Sequence, residues 1–102
     1  MSPALKALPI LLFVAPLAHA QEKFTVLGGH GFNWSKPKAA RCVKVDEAEA
    51  KQLKPCEFNA TGAFGLPIAY YTCPRAKGGE LLVFRNAAEC KEALDTMQAN
   101  GP

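Results

Sequence analysis

The chain has few of the residues that chemistry usually needs. Beyond residue 20 it holds one histidine, His30, and one serine, Ser35. A Ser-His-acid triad would have to use this pair, and nothing around them resembles the Gly-x-Ser-x-Gly elbow that presents a nucleophile. A lone histidine also argues against a catalytic metal, which takes several His or carboxylate ligands. No metal and no cofactor are therefore expected, and His30 reads as a solvated loop residue. The run Gly28-Gly29-His30-Gly31 lacks the Gly-Lys-Ser/Thr continuation of a phosphate loop and reads as a turn.

One-sided charge is missing too. Lys and Arg number 12 against 9 Asp and Glu, for a net +3 over 102 residues. Lys36, Lys38 and Arg41 form the only local basic cluster, which reads as a solvated loop, and a nucleic-acid binder shows a denser stripe. Nucleic acid is not an expected partner. With 49% hydrophobic residues the chain is no charge-driven disordered segment, and its length allows one domain. It shows no repeat and no low-complexity run.

A long apolar run is absent as well. Residues 7–18 are apolar but contain Pro9 and Pro16, and the stretch falls short of the roughly 20 residues that span a bilayer. Lys6 precedes it and Ala18-His19-Ala20 follows, the order of a secretory signal. Residues 1–20 are expected to be a cleaved signal, cut between Ala20 and Gln21. Residues 21–102 then form one small domain with no stable membrane anchor. Its expected location is the periplasm or the extracellular space.

What the chain does have is four cysteines, Cys42, Cys56, Cys73 and Cys90, all beyond the signal. In a short exported chain an even count reads as a disulfide framework. No Cys-x-x-Cys pair is present to tune a thiolate or begin a zinc ribbon. A domain this small buries a modest core, so two staples are expected.

Residues 23–27 alternate like a short strand, whereas residues 32–40 read as an irregular loop. Residues 41–45 could form another strand, followed by a helix from the Asp46-x-x-Glu49 capping box to about Lys54, ended by Pro55. Residues 68–73 and 80–85 read as strands of a hairpin, with Tyr70 and Tyr71 on opposite faces. If Gly78-Gly79 is the whole turn, Cys73 lies opposite Phe84. Asn86-x-x-Glu89 begins the longest helix, from Ala87 to about Ala99, with Ala87, Cys90, Leu94 and Met97 facing inward.

The expected class is α+β: about three short, mostly antiparallel strands covered by one long C-terminal helix and one short helix. A helix doubling back from Asp46 would place Cys56 beside Cys42, and the two-glycine register would place Cys73 beside Cys90. Cys42 with Cys56 and Cys73 with Cys90 is the favoured pairing; a longer hairpin loop would favour a crossed one.

Acidic pairs such as Glu47 with Glu49 and Glu89 with Glu92 belong to helix starts, where they complement the macrodipole. The sequons Asn33-Trp34-Ser35 and Asn59-Ala60-Thr61 are expected to be unmodified. Several aromatics fall in loops, and Trp and Tyr favour interfaces because they combine area with a polar handle. Phe32, Trp34, Tyr70 and Tyr71 are the candidate interface residues. These features point to an exported protein that acts by binding an unidentified protein partner, as an inhibitor, immunity-type or envelope accessory protein. The competing expectation is a small exported enzyme, a thiol oxidoreductase or a carboxylate-based hydrolase.

Overall fold

Asp46 and Asn86 start the two helices, as their spacing to Glu49 and Glu89 predicts. In the computed structural model, which describes residues 22–100, Asp46 Oδ1 accepts from the Glu49 N–H at 2.8 Å and Asn86 Oδ1 from the Glu89 N–H at 2.9 Å. Each side chain satisfies one of the backbone donors left over at a helix start. Helix α1 is Glu47–Ala50 and α2 is Ala87–Asn100. The first is shorter than expected because other partners take the chain beyond it. Lys54 N–H donates to Pro74 O and Ala76 N–H to Gln52 O, both at 2.8 Å, which ties this segment to a neighbouring strand.

The fold is α+β, with an antiparallel sheet and one long C-terminal helix, but the sheet has five strands rather than about three. They are β1 His30–Asn33, β2 Val43–Lys44, β3 Glu57–Asn59, β4 Tyr70–Pro74 and β5 Glu80–Phe84. Their spatial order is β2-β1-β5-β4-β3. Residues 23–27 form no strand; Phe24 and Val26 pack against one face of the sheet instead. β5 pairs with β4 on one side and on the other with β1, which lies in the stretch read as turn and irregular loop. Gly31 is what the close approach requires: a Cβ there would lie 2.6 Å from the Leu82 carbonyl oxygen. His30 is thus half-buried in an inner strand and not a solvated loop residue.

The β4–β5 hairpin sets the faces. Its turn spans residues 75–79: Arg75 N–H donates to Gly79 O and Gly78 N–H to Arg75 O, each at 3.0 Å, with Gly78 and Gly79 at positive φ. Cys73 therefore lies opposite Leu81 and not Phe84. That shift is odd in residues, so every side chain of one strand changes face relative to the two-glycine register. Cys73 and Tyr71 share a face with Leu81 and Val83, while Leu82 and Phe84 point the other way.

Each face has its own core. On one, Cys90, Ala93 and Met97 of α2 cover Phe32, Leu82 and Phe84, with Ala40 and Ile68 alongside. Ala87 is exposed and Ala93 is fully buried, so the helix is turned slightly from the expected stripe; Leu94 packs at the margin. Four rings stack here, Phe64 on Phe32, Phe32 on Phe84 and Tyr70 on Phe84, with centroids 5.7 to 6.5 Å apart. On the other face Val45, Cys73, Leu81 and Val83 pack with Ala50 and Leu53 from α1 and the segment after it.

The disulfides are Cys42–Cys90 and Cys56–Cys73, so the favoured pairing is incorrect. The sheet itself separates Cys73 from Cys90, which lie in cores on opposite faces. Cys42 and Cys56 precede β2 and β3, the two edges of the sheet, about 19 Å apart at 4.8 Å per strand. Cys56–Cys73 instead links neighbouring strands, one step beyond the Glu57–Thr72 pair, with Cα atoms 4.3 Å apart. Cys42–Cys90 ties the β1–β2 connection to α2, Cα to Cα 6.2 Å. Two disulfides suit an oxidising, exported environment. The expected signal segment and its cut between Ala20 and Gln21 lie outside the described residues, among which no helix is long and apolar enough to cross a membrane.

Candidate functional site

The four aromatics expected at an interface do not come together. Phe32 is fully buried between Phe64 and Phe84 in the α2-face core, so it is not an interface residue. Tyr70 is half-buried against Phe84, and its hydroxyl accepts from Asn59 Nδ2 at 3.0 Å. Tyr71 lies on the other face, where its hydroxyl donates to the Phe24 carbonyl at 2.7 Å and its ring meets Phe24 and Phe58. The ring faces around it are in use: the Lys23 ammonium sits 5.6 Å from the Phe58 centroid and the Arg85 guanidinium 5.0 Å from that of Phe24.

Trp34 alone is presented, with 42% of its surface exposed. It follows β1 and is held to the start of β5 at two points. Its backbone N–H donates to Glu80 O at 3.3 Å, and its indole Nε1–H donates to Glu80 Oε1 at 2.7 Å. A large exposed ring with its polar edge fixed loses little further freedom when something packs on it.

At the same end of the sheet, on the α1 face, lies an open cleft of about 290 Å³. Val43, Leu81, Ala39 and Ala40 supply apolar lining. Lys36 and Arg41 from the β1–β2 connection, Arg75 from the hairpin turn and Glu49 from α1 supply the charge. Arg75 Nη2 is 3.4 Å from Glu49 Oε2, while Arg75 Nε is buried with no hydrogen-bond partner among the described residues. Neither Lys36 nor Arg41 has an ion-pair partner among the described residues. The expected cluster of Lys36, Lys38 and Arg41 is therefore divided. Two of its members line the cleft, and Lys38 stands outside it in the 3-10 turn Pro37–Ala39.

The remaining candidates have structural surroundings. Glu47 and Glu49 occupy the first turn of α1 and Glu89 that of α2. Glu89 lies 3.9 Å from Arg85 Nε. Burial pushes the Glu89 carboxyl above its usual range, against the lowering effect of Arg85 and with a smaller push from Glu92. Both sequon asparagines hold local turns. Asn33 Oδ1 accepts from the Ser35 N–H, and Asn59 Oδ1 accepts from the N–H and hydroxyl of Thr61. His30 Nδ1 is buried without a hydrogen-bond partner among the described residues. Among the described residues no three His, Cys, Asp or Glu side chains gather to hold a metal. No protein-family model, no curated protein and no solved structure matches the chain.

Proposed function

We propose that this is a small exported protein of the periplasm or extracellular space that acts by binding a protein partner. The observation that carries the reading is Trp34, exposed yet fixed by Glu80 at the end of a sheet stapled on both faces. Exposed aromatic rings that are already ordered are the usual anchors of an interface, because burying them gains area at little entropic cost. The disulfides serve this role by holding a small domain rigid outside the cell.

Affinity capture tests the reading, using the oxidised protein against periplasmic extract or culture fluid of the native source. Wild type is compared with Trp34→Ala and with Glu80→Ala, which removes the acceptor of the indole N–H and leaves the ring in place. A partner held by wild type, lost with Trp34→Ala and weakened with Glu80→Ala supports the reading. Recovery of nothing above background, or of the same proteins by all three, contradicts it.

A further inference from the structure

We infer that the cleft on the α1 face is a carboxylate site, which takes an anionic group carried on a short apolar body. The inference rests on the reading of the protein as a binder and assigns a ligand chemistry to a second feature at the Trp34 end of the sheet. Three cations reach the cleft from two separate stretches of chain, and one carboxylate, Glu49, offsets them. Surface lysines and arginines usually spread apart or pair with acids. Here Lys36 and Arg41 have no ion-pair partner among the described residues, and Arg75 engages Glu49 through Nη2.

The Arg75 Nε–H is the most informative group. A buried donor with no acceptor costs about 1 to 3 kcal/mol, so native structures rarely keep one. The guanidinium presents donors in a planar fork that matches a carboxylate in two parallel bonds. A small turn of Arg75 toward the cleft would give Nε an acceptor in an entering carboxylate, with Arg41 and Lys36 adding charge from the β1–β2 connection.

The apolar lining supplies the second half of the specificity. Val43, 46% exposed on an edge strand, and the buried Leu81 line the same cleft as the charged side chains. That apolar lining suits a small aliphatic group, and the volume of about 290 Å³ suits one or two residues or a small organic acid, at the lower end of ligand pockets. The same chemistry is offered by a free short-chain acid and by the C-terminal end of a peptide with an apolar last residue.

The test is an amide-resonance titration of the oxidised, uniformly 15N-labelled protein with hexanoate, N-acetyl-leucine and uncharged N-acetyl-leucinamide. Either acid should shift the signals of Arg41, Val43, Arg75 and Leu81 saturably, and the amide should not. Arg41→Gln should weaken the acid about tenfold, the scale of one hydrogen bond to a charged group. Arg41 is exposed and forms no ion pair among the described residues, so this variant should keep the fold even if Arg75→Gln does not. Preference for N-acetyl-leucine identifies a chain end as the source, and preference for hexanoate a free acid. No saturable shift, equal binding of the amide, or an unchanged affinity in Arg41→Gln overturns the assignment. Capture of a Trp34-dependent partner alongside such a result would remove the cleft's role while leaving the binding reading in place.

Discussion

Removing the disulfides one at a time separates their contributions and reads their pairing in the same samples. Cys42–Cys90 closes a loop with a sequence separation of 48, and Cys56–Cys73 one of 17. Loop-closure entropy gives about 4 kcal/mol for the first and about 3 kcal/mol for the second at 25 °C. The packing losses are similar, because each bridge has one fully buried sulfur partner, Cys90 or Cys73, and one half-buried partner, Cys42 or Cys56. They largely cancel in the comparison, which leaves a difference of about 1 kcal/mol from chain entropy. The double variants are Cys42→Ala with Cys90→Ala, and Cys56→Ala with Cys73→Ala. Urea unfolding of each, against wild type, should show the first to be the less stable. Alkylation under denaturing, non-reducing conditions should find no free thiol in either, since each keeps the other bridge. A variant that unfolds in buffer still reports its thiols. Two free thiols in either variant would refute the pairing, and a larger loss from Cys56–Cys73 would refute the entropic ordering.

Three smaller perturbations test other parts of the fold. Gly31→Ala forces a methyl within 2.6 Å of the Leu82 carbonyl oxygen and should cost about 1 to 3 kcal/mol of overpacking in urea unfolding. Asn86→Ala removes the α2 cap and should cost about 1 kcal/mol. Glu89 binds its proton more tightly folded than unfolded, so it lowers stability as pH rises from its unfolded pKa through its folded one. Glu89→Gln should therefore remove that falling contribution, so that its stability relative to wild type rises with pH across this window; a relative stability that falls as pH rises would contradict the assigned cause.

The features legible in the sequence are those set by neighbours along the chain. Asp46 with Glu49 and Asn86 with Glu89 bond within one turn, so their spacing sufficed. Tyr70 and Tyr71 fall on opposite faces because a strand alternates. Strand β1 was not legible, since Gly31 marks a turn by propensity and here serves close strand packing. The hairpin register depended on whether two or five residues close the turn, and hydrogen bonds between Arg75 and Gly79 decide it. From that one difference follow the face of Cys73 and the failure of Cys73–Cys90, whereas Cys42–Cys56 fails because the two residues precede opposite edge strands. Phe32 carried the signal of a loop aromatic until β1 turned it inward. For the cleft, Lys36 and Arg41 were visible as a basic cluster, but Arg75 joins them only through the fold.

The most direct test of the central claim is site-specific photo-cross-linking in the native compartment. A photo-reactive amino acid replaces Trp34 in one strain and Lys91, on the exposed side of α2, in another. The account predicts a discrete adduct from position 34 and none from position 91. No adduct from position 34, or the same adducts from both positions, would contradict it.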